Sequence, residues 1–158
     1  MSVPYYLSPT ASNIITQLVR AYGFDLFDFE SDIYFRLEQE NYLPLVFERH
    51  EPHVCSLSHY YIQEGDLMSD PDVTFLINKH RSDLVNEIIL CPLSITQSGL
   101  GIYREVAFLN SNRDNLHSFK PRSLKDLASF CNTWTDNIQA QQWFLSDGKP
   151  NPNITRTR

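Results

Sequence analysis

The sequence predicts an α+β fold: an antiparallel meander sheet of five or six strands, with an N-terminal and a C-terminal helix packed on one face. Three observations carry that expectation. Apolar residues recur at helical spacing near both ends of the chain. Six segments between Ile33 and Leu109 are rich in β-branched and aromatic residues. The connections between those segments are too short for the crossovers that parallel strands require.

The first helix is expected from about Thr10 to Tyr22. Ser12 or Thr10 can cap it, and Ile14, Ile15, Leu18, Val19 and Tyr22 form one stripe. Gly23 suits the left-handed position that ends a helix. Residues 24–32 alternate aromatic and acidic side chains, as in an irregular docking segment or a short strand. Strands are expected at Ile33–Glu38, Leu43–Arg49, His53–Ile62, Val73–Lys79, Leu84–Ile95 and Ile102–Leu109. Turn formers separate them: Glu51-Pro52, Gly65, Pro71, Arg81-Ser82-Asp83 and Ser98-Gly99. Pro92 removes a ladder donor, so the fifth strand is at an edge, bulged or broken there.

Ser123-Leu124-Lys125-Asp126 reads as a capping box for the second helix, which carries the stripe Leu124, Leu127, Ala128, Cys131, Trp134 and Ile138 to about Gln142. Residues 1–145 read as a single domain and 146–158, which show no periodicity, as a flexible tail.

A chain of 158 residues with 42% hydrophobic and 13% aromatic content can fill a core, so disorder is excluded as a class. No stretch reaches the roughly 20 apolar residues of a membrane span. Met1-Ser2-Val3-Pro4 lacks a basic or apolar leader, so a cytoplasmic location is expected. Three widely spaced cysteines, Cys55, Cys91 and Cys131, fit buried thiols better than disulfides. The net charge of −6 is uneven: residues 24–72 hold twelve acidic and two basic side chains. That balance disfavours direct nucleic-acid binding and anionic membranes, and suits a protein partner with a basic surface. A solvated acidic face without a partner would have the same composition.

The block from His59 to Asp72 is the densest in chemistry. Glu64, Asp66, Asp70 and Asp72 offer oxygens for a divalent cation, although the spacing matches no EF-hand loop, and Gly65, Asp70 and Pro71 equally shape a turn. With Asp25, Asp28, Glu30 and Asp32 they are the candidate partner-binding carboxylates. His53, Cys55 and His59 alternate onto one strand face, where Cys91 would be needed to complete a zinc site; Leu57 interrupts the row. No metal site and no catalytic residue is assigned. The cofactor expectation is none, with a divalent cation as the alternative. No Gly-x-Ser-x-Gly, Ser-x-x-Lys or His-Glu-x-x-His signature is present, nor a phosphate-binding glycine loop. A candidate pocket is formed by His59, Tyr61, Tyr103, Glu105 and Trp134.

The ordered motifs His59-Tyr60-Tyr61, Gly65-Asp66-Leu67-Met68, Asp70-Pro71 and Phe75, then Leu100-Gly101-x-Tyr103-x-Glu105-Val106, then Trp134-x-x-Asn137-Ile138-x-x-Gln141, lie within residues 33–144. Over that span the chain resembles a small bacterial domain family of unknown function found on plasmids, phages and conjugative elements, sometimes beside antirestriction-type proteins. The resemblance implies a mobile-element setting and no mechanism. The function expected is a non-enzymatic protein-interaction domain of a mobile genetic element, with counter-defence as its setting, that inhibits or modulates a host defence or nucleic-acid-processing protein through an acidic surface. The alternatives are a small metal-dependent hydrolase or nuclease, and a small-ligand binder with an aromatic pocket between sheet and helices.

Overall fold

A computed structural model describes residues 9–81 and 86–157, with side chains outside 79–89. The expected strand start at Leu84, the turn residues Ser82 and Asp83, and Met1-Ser2-Val3-Pro4 lie outside the described residues. The order is α1 (Pro9–Ala21), β1 (Tyr34–Glu38), β2 (Leu45–Glu51), β3 (Val54–Gln63), β4 (Asp66–Arg81), β5 (Asn86–Gln97), β6 (Ile102–Glu105), β7 (Ala107–Leu109), β8 (Leu116–Phe119), α2 (Pro121–Ala140) and β9 (Thr155–Thr157). The fold is α+β: an antiparallel meander flanked by the two helices. The seven-stranded sheet runs β6-β5-β4-β3-β2-β1-β9, and β7 pairs with β8 separately.

All five stripe residues, four in α1 and Tyr22 just beyond its end, are buried. The helix closes with Phe24 N donating to Val19 O and Gly23 N to Arg20 O, at a Gly23 φ of 91°. Its start differs from expectation. Ser12 lies inside the helix and accepts from the backbone N–H of Leu90 at 2.7 Å, while Asn132 of α2 accepts from Ala11 N at 3.2 Å. The cap is thus supplied by the other helix, and Ser12 ties α1 to the sheet. Helix α2 begins two residues before the expected Ser123, with Pro121 in its first turn and no side-chain cap on Lys120. The fixed φ and missing N–H of proline suit that first turn, which removes the need for the hydroxyl cap.

The helix-facing side of the sheet carries Phe35, Leu37, Leu45, Phe47, Cys55, Leu57, Val73 and Phe75, all fully buried in one cluster. Phe35 stacks between Tyr22, Phe24 and Phe47 at centroid distances of 5.6, 5.8 and 5.6 Å. Each buried phenylalanine contributes about 2–3 kcal/mol of transfer free energy, so this stack anchors α1 on β1 and β2.

Residues 24–32 form a docking segment and no strand. Phe24, Phe27 and Phe29 pack on the core, and the acids between them face water. Arg49 holds the segment down by donating to the carbonyls of Leu26 at 2.7 Å and Asp28 at 2.9 Å, with its guanidinium 5.5 Å from the Phe29 ring.

Two strands of the expected meander depart from the sequence reading. The fourth strand starts at Asp66, not Val73, because Glu64 and Gly65 alone make the turn; both have positive φ, 51° and 86°. Asp70 and Pro71 lie within β4 as a bulge opposite His59, the pairing stepping from Tyr60↔Ser69 to Ser58↔Asp72. The expected strand Ile102–Leu109 divides at Val106, which donates to Leu93 O and accepts from Lys120 N, so the chain leaves the edge of β5 and pairs with β8. Pro92 sits at a bulge of β5, where Phe75 pairs with Pro92 and Thr74 with Ser94.

The C-terminal segment read as a tail returns to the sheet. Asn151 Nδ2 donates to Gln142 O at 2.7 Å, and Thr155–Thr157 pairs with β1. Arg156 donates to Tyr22 O at 2.8 Å and lies 5.0 Å from the Phe24 ring. These bonds come from single polar residues at irregular spacing, which a search for periodicity does not register.

Candidate functional site

Along β2 to β6 the register aligns two rows on the face turned away from the helices. Val46, Ser58, Asp72, Thr96 and Tyr103 are successive cross-strand partners, as are Glu48, Ser56, Thr74, Ser94 and Glu105. Side chains alternate along a strand, so these rows oppose the Leu45, Phe47, Leu57 and Val73 face. Val46 is buried yet lies outside the core cluster, consistent with its place on this side. Nine of these ten residues are polar, which is the composition of a face that meets water or a partner.

The face holds three linked features. Ser56 Oγ lies 2.7 Å from His50 Nε2, and His50 Nδ1 lies 3.3 Å from Glu48 Oε2. Tyr103, 61% exposed, donates to Glu105 Oε1 at 2.9 Å. Between them Ser58 is 1% exposed, and its Oγ and the buried Asp72 Oδ1 have no hydrogen-bond partner. Burial pushes the Asp72 carboxyl above its usual range, with Glu48 adding to the rise and His50 opposing it.

Ser56, His50 and Glu48 stand in the order of nucleophile, base and orienting acid. The setting does not suit acyl transfer. Ser56 is only 7% exposed, and its backbone belongs to a paired central strand, so it offers no oxyanion-binding N–H pair. Glu48 pairs directly across from Ser56 and Asp72 lies on the neighbouring strand, so nearby carboxylates would raise the energy of an oxyanion there.

The sequence-predicted carboxylates separate. Asp25, Asp28, Glu30 and Asp32 are exposed beside Arg49 and the β2–β3 turn, and Glu64 and Asp66 sit at the β3–β4 hairpin tip. The ten residues of β3 put roughly 30 Å between those ends. Asp70 accepts from Gln97 Nε2 at 3.2 Å. Only Asp72 belongs to the polar face.

The predicted pocket divides as well. His59 is on the helix side, 5.9 Å from Trp134 and 6.0 Å from Trp143, with Nδ1 3.2 Å from Leu43 O. Burial lowers its pKa. Tyr61 lies over Gly99, where a Cβ would meet its hydroxyl at 2.6 Å. Tyr103 and Glu105 are on the opposite face. A groove of about 230 Å³ opens between the β5–β6 edge and α2, with Ile95, Ile102, Leu127 and Phe130 as its apolar lining and Arg104 and Asp126 among its polar groups. It is smaller than the ~300 Å³ lower bound of ordinary ligand pockets and contains none of the expected aromatics.

Among the described residues no group of three His, Cys, Asp or Glu side chains is placed to hold a metal ion. His53 Nδ1 lies 3.0 Å from Ile77 O, and Cys55 is buried in the core with its thiol pushed up to about 12, so the zinc arrangement does not form. Glu48, His50, Ser56 and Ser58 were missed as site residues. Their signal is visible only as alternation in Glu48-x-His50 and Ser56-x-Ser58, and becomes a cluster when the register is known.

A small α+β domain with a polar open sheet face is the class this geometry defines. Residues 13–144 match the family described as Domain of unknown function (DUF6908), and the chain belongs to that family. No curated protein and no solved structure matches it. Among the described residues no helix is long and apolar enough to cross a membrane.

Proposed function

We propose that this protein is a non-enzymatic interaction domain that binds a partner with a basic surface, and that the contact is the polar sheet face of β2 to β6. The observation that carries the reading is the set of three carboxylates, Glu48, Asp72 and Glu105, on one face. Arg36, the cation at its margin, is engaged with Glu38 at 3.3 Å. Charge complementarity of this kind steers association and selects partners. In the mobile-element setting implied by the motifs, the partner is a host defence or nucleic-acid-processing protein, whose own substrate-binding surface is basic. The protein acts in that reading from the cytoplasm.

The test is a photo-crosslinking residue placed at Thr96 on the sheet face or at Lys125 on α2. A salt-sensitive adduct with one basic protein from Thr96, absent from Lys125, supports the reading. Adducts from Lys125 alone overturn it.

A further inference from the structure

We infer that the open edge of β6 takes an extended segment of the partner as an added strand, with an apolar side chain in the groove beside α2 and basic side chains on the Tyr103 and Glu105 side. The inference rests on the cationic-partner reading and adds the backbone conformation and side-chain pattern that the partner presents. The seven-stranded sheet ends at β6, and among the described residues no strand pairs with its outer side. Val106 N donates to Leu93 O, so Leu93 and Val106 are a hydrogen-bonded pair of the ladder. Antiparallel pairs alternate between bonded and non-bonded, so Arg104 bonds inward to Ile95 and Ile102 to Gln97. Tyr103 and Glu105, the non-bonded partners of Thr96 and Ser94, turn their N–H and C=O groups to the open edge. Such an edge is a template for another strand. Its pairing with β5 runs without a bulge, and it contains no proline to blunt it.

The side chains specify the occupant. An added strand places successive residues on alternate faces. The residue opposite Arg104 meets the mouth of the groove, where Ile95, Ile102, Leu127 and Phe130 supply apolar surface and Phe130 is 37% exposed. A space of about 230 Å³, short of an ordinary ligand pocket, suits a single side chain delivered by a strand. Arg104 and Asp126 line it with opposite charges, so neither sign is favoured there and a neutral apolar group is. On the other face the added strand borders Tyr103, 61% exposed, and the exposed Glu105. Glu105 ends the cross-strand row that begins at Glu48, so a basic residue beside it extends that row with the complementary charge. The two faces together select a basic–apolar–basic alternation. In strand addition, main-chain hydrogen bonds give affinity and alternate side chains give specificity.

The experiment titrates the full chain with the blocked peptide Thr-Lys-Ile-Lys-Thr, following backbone amide NMR shifts and amide hydrogen exchange. The amides of Tyr103 and Glu105 are expected to shift most and to gain protection. N-methylation of both lysines keeps every charge but removes the two N–H groups that pair with β6, and is expected to weaken binding about tenfold or more. N-methylation of the isoleucine, whose N–H points away from β6, is expected to leave affinity within about twofold. The neutral peptide Thr-Gln-Ile-Gln-Thr is expected to bind about fivefold more weakly or worse. Tyr103→Pro, which removes an edge donor while keeping Glu105 and the groove, is expected to abolish the shifts, and Tyr103→Phe to retain them. Equal affinity of the lysine-methylated peptide, or of the glutamine peptide, overturns the inference. Shifts centred on Ser56, Ser58 and Thr74, or on residues 25–32, overturn the edge site while leaving a cationic-partner reading intact. No shift with any peptide overturns the edge site, and the crosslinking result then decides the wider reading separately.

Discussion

Asp72 and His59 sit on opposite faces of the sheet, and each makes stability depend on pH in its own window. Burial holds the folded Asp72 carboxyl above the 3.8 of a free aspartate. The folded state therefore holds its proton where the unfolded state has lost it, and stability falls as pH rises through the interval above 3.8. Asp72→Asn is expected to raise Tm at neutral pH, with the gain disappearing below that interval; thermal melts across pH check it. A lower Tm for the variant at pH 7 would mean that the carboxylate is satisfied within the fold. His59 works in the opposite direction. Burial lowers its folded pKa below 6.5, so stability is fully present above 6.5 and is lost as pH falls toward the folded value. His59→Asn keeps a donor near the Leu43 carbonyl and is expected to flatten denaturation midpoints over that window. At this scale the sequence was only partly legible. His59, Tyr61 and Trp134 were recognisable as residues with chemistry, but a one-residue step along β3 decides which face each group meets. Ser58 and His59 are neighbours in the chain and belong to different surfaces.

Elements were easier to read than side chains. Stripe periodicity located α1 and α2, and short turn-bounded runs located the meander, because burial of one face leaves a direct mark on residue order. The errors came where local chemistry has two uses. Ser123 resembles a cap, but Pro121 already begins the helix. Asp70-Pro71 resembles a turn, but the bulge opposite His59 accommodates it inside β4. The C-terminal segment is the clearest instance. Asn151, Arg156 and the three-residue β9 hold it through specific hydrogen bonds, with no repeating pattern to announce them. Removing residues 146–158 should therefore cost stability, by about 2 kcal/mol from the lost part-buried hydrogen bonds of Asn151 and Arg156 and the β1–β9 pairing. For a chain of this size that corresponds to a Tm lower by roughly 5 °C. An unchanged Tm for the truncated chain would show that β9 and Arg156 add nothing to the fold.

For the whole molecule, eight of the twelve acids of residues 24–72 fall in three separate places. The acids of residues 25–32 alternate with aromatics that dock on the core, so their exposure follows from the packing of Phe24, Phe27 and Phe29. Glu64 and Asp66 occupy a tight hairpin tip at the far end of β3. The third place, the helix-free face, draws Glu48, Asp72 and Glu105 together from three strands, and only the sheet register brings them to one surface. Net charge could indicate a cationic partner but could not choose among these places, since composition carries no information about register. Two variants with the same loss of charge separate them: Glu48→Gln/Asp72→Asn/Glu105→Gln on the sheet face, and Asp25→Asn/Asp28→Asn/Glu30→Gln on the docking segment. The decisive measurement is the affinity of each for the crosslinked basic partner, at equal ionic strength. The sheet-face account predicts that the first variant loses binding by about tenfold or more while the second stays within about twofold of the parent. Loss in the second variant with binding retained in the first would contradict it.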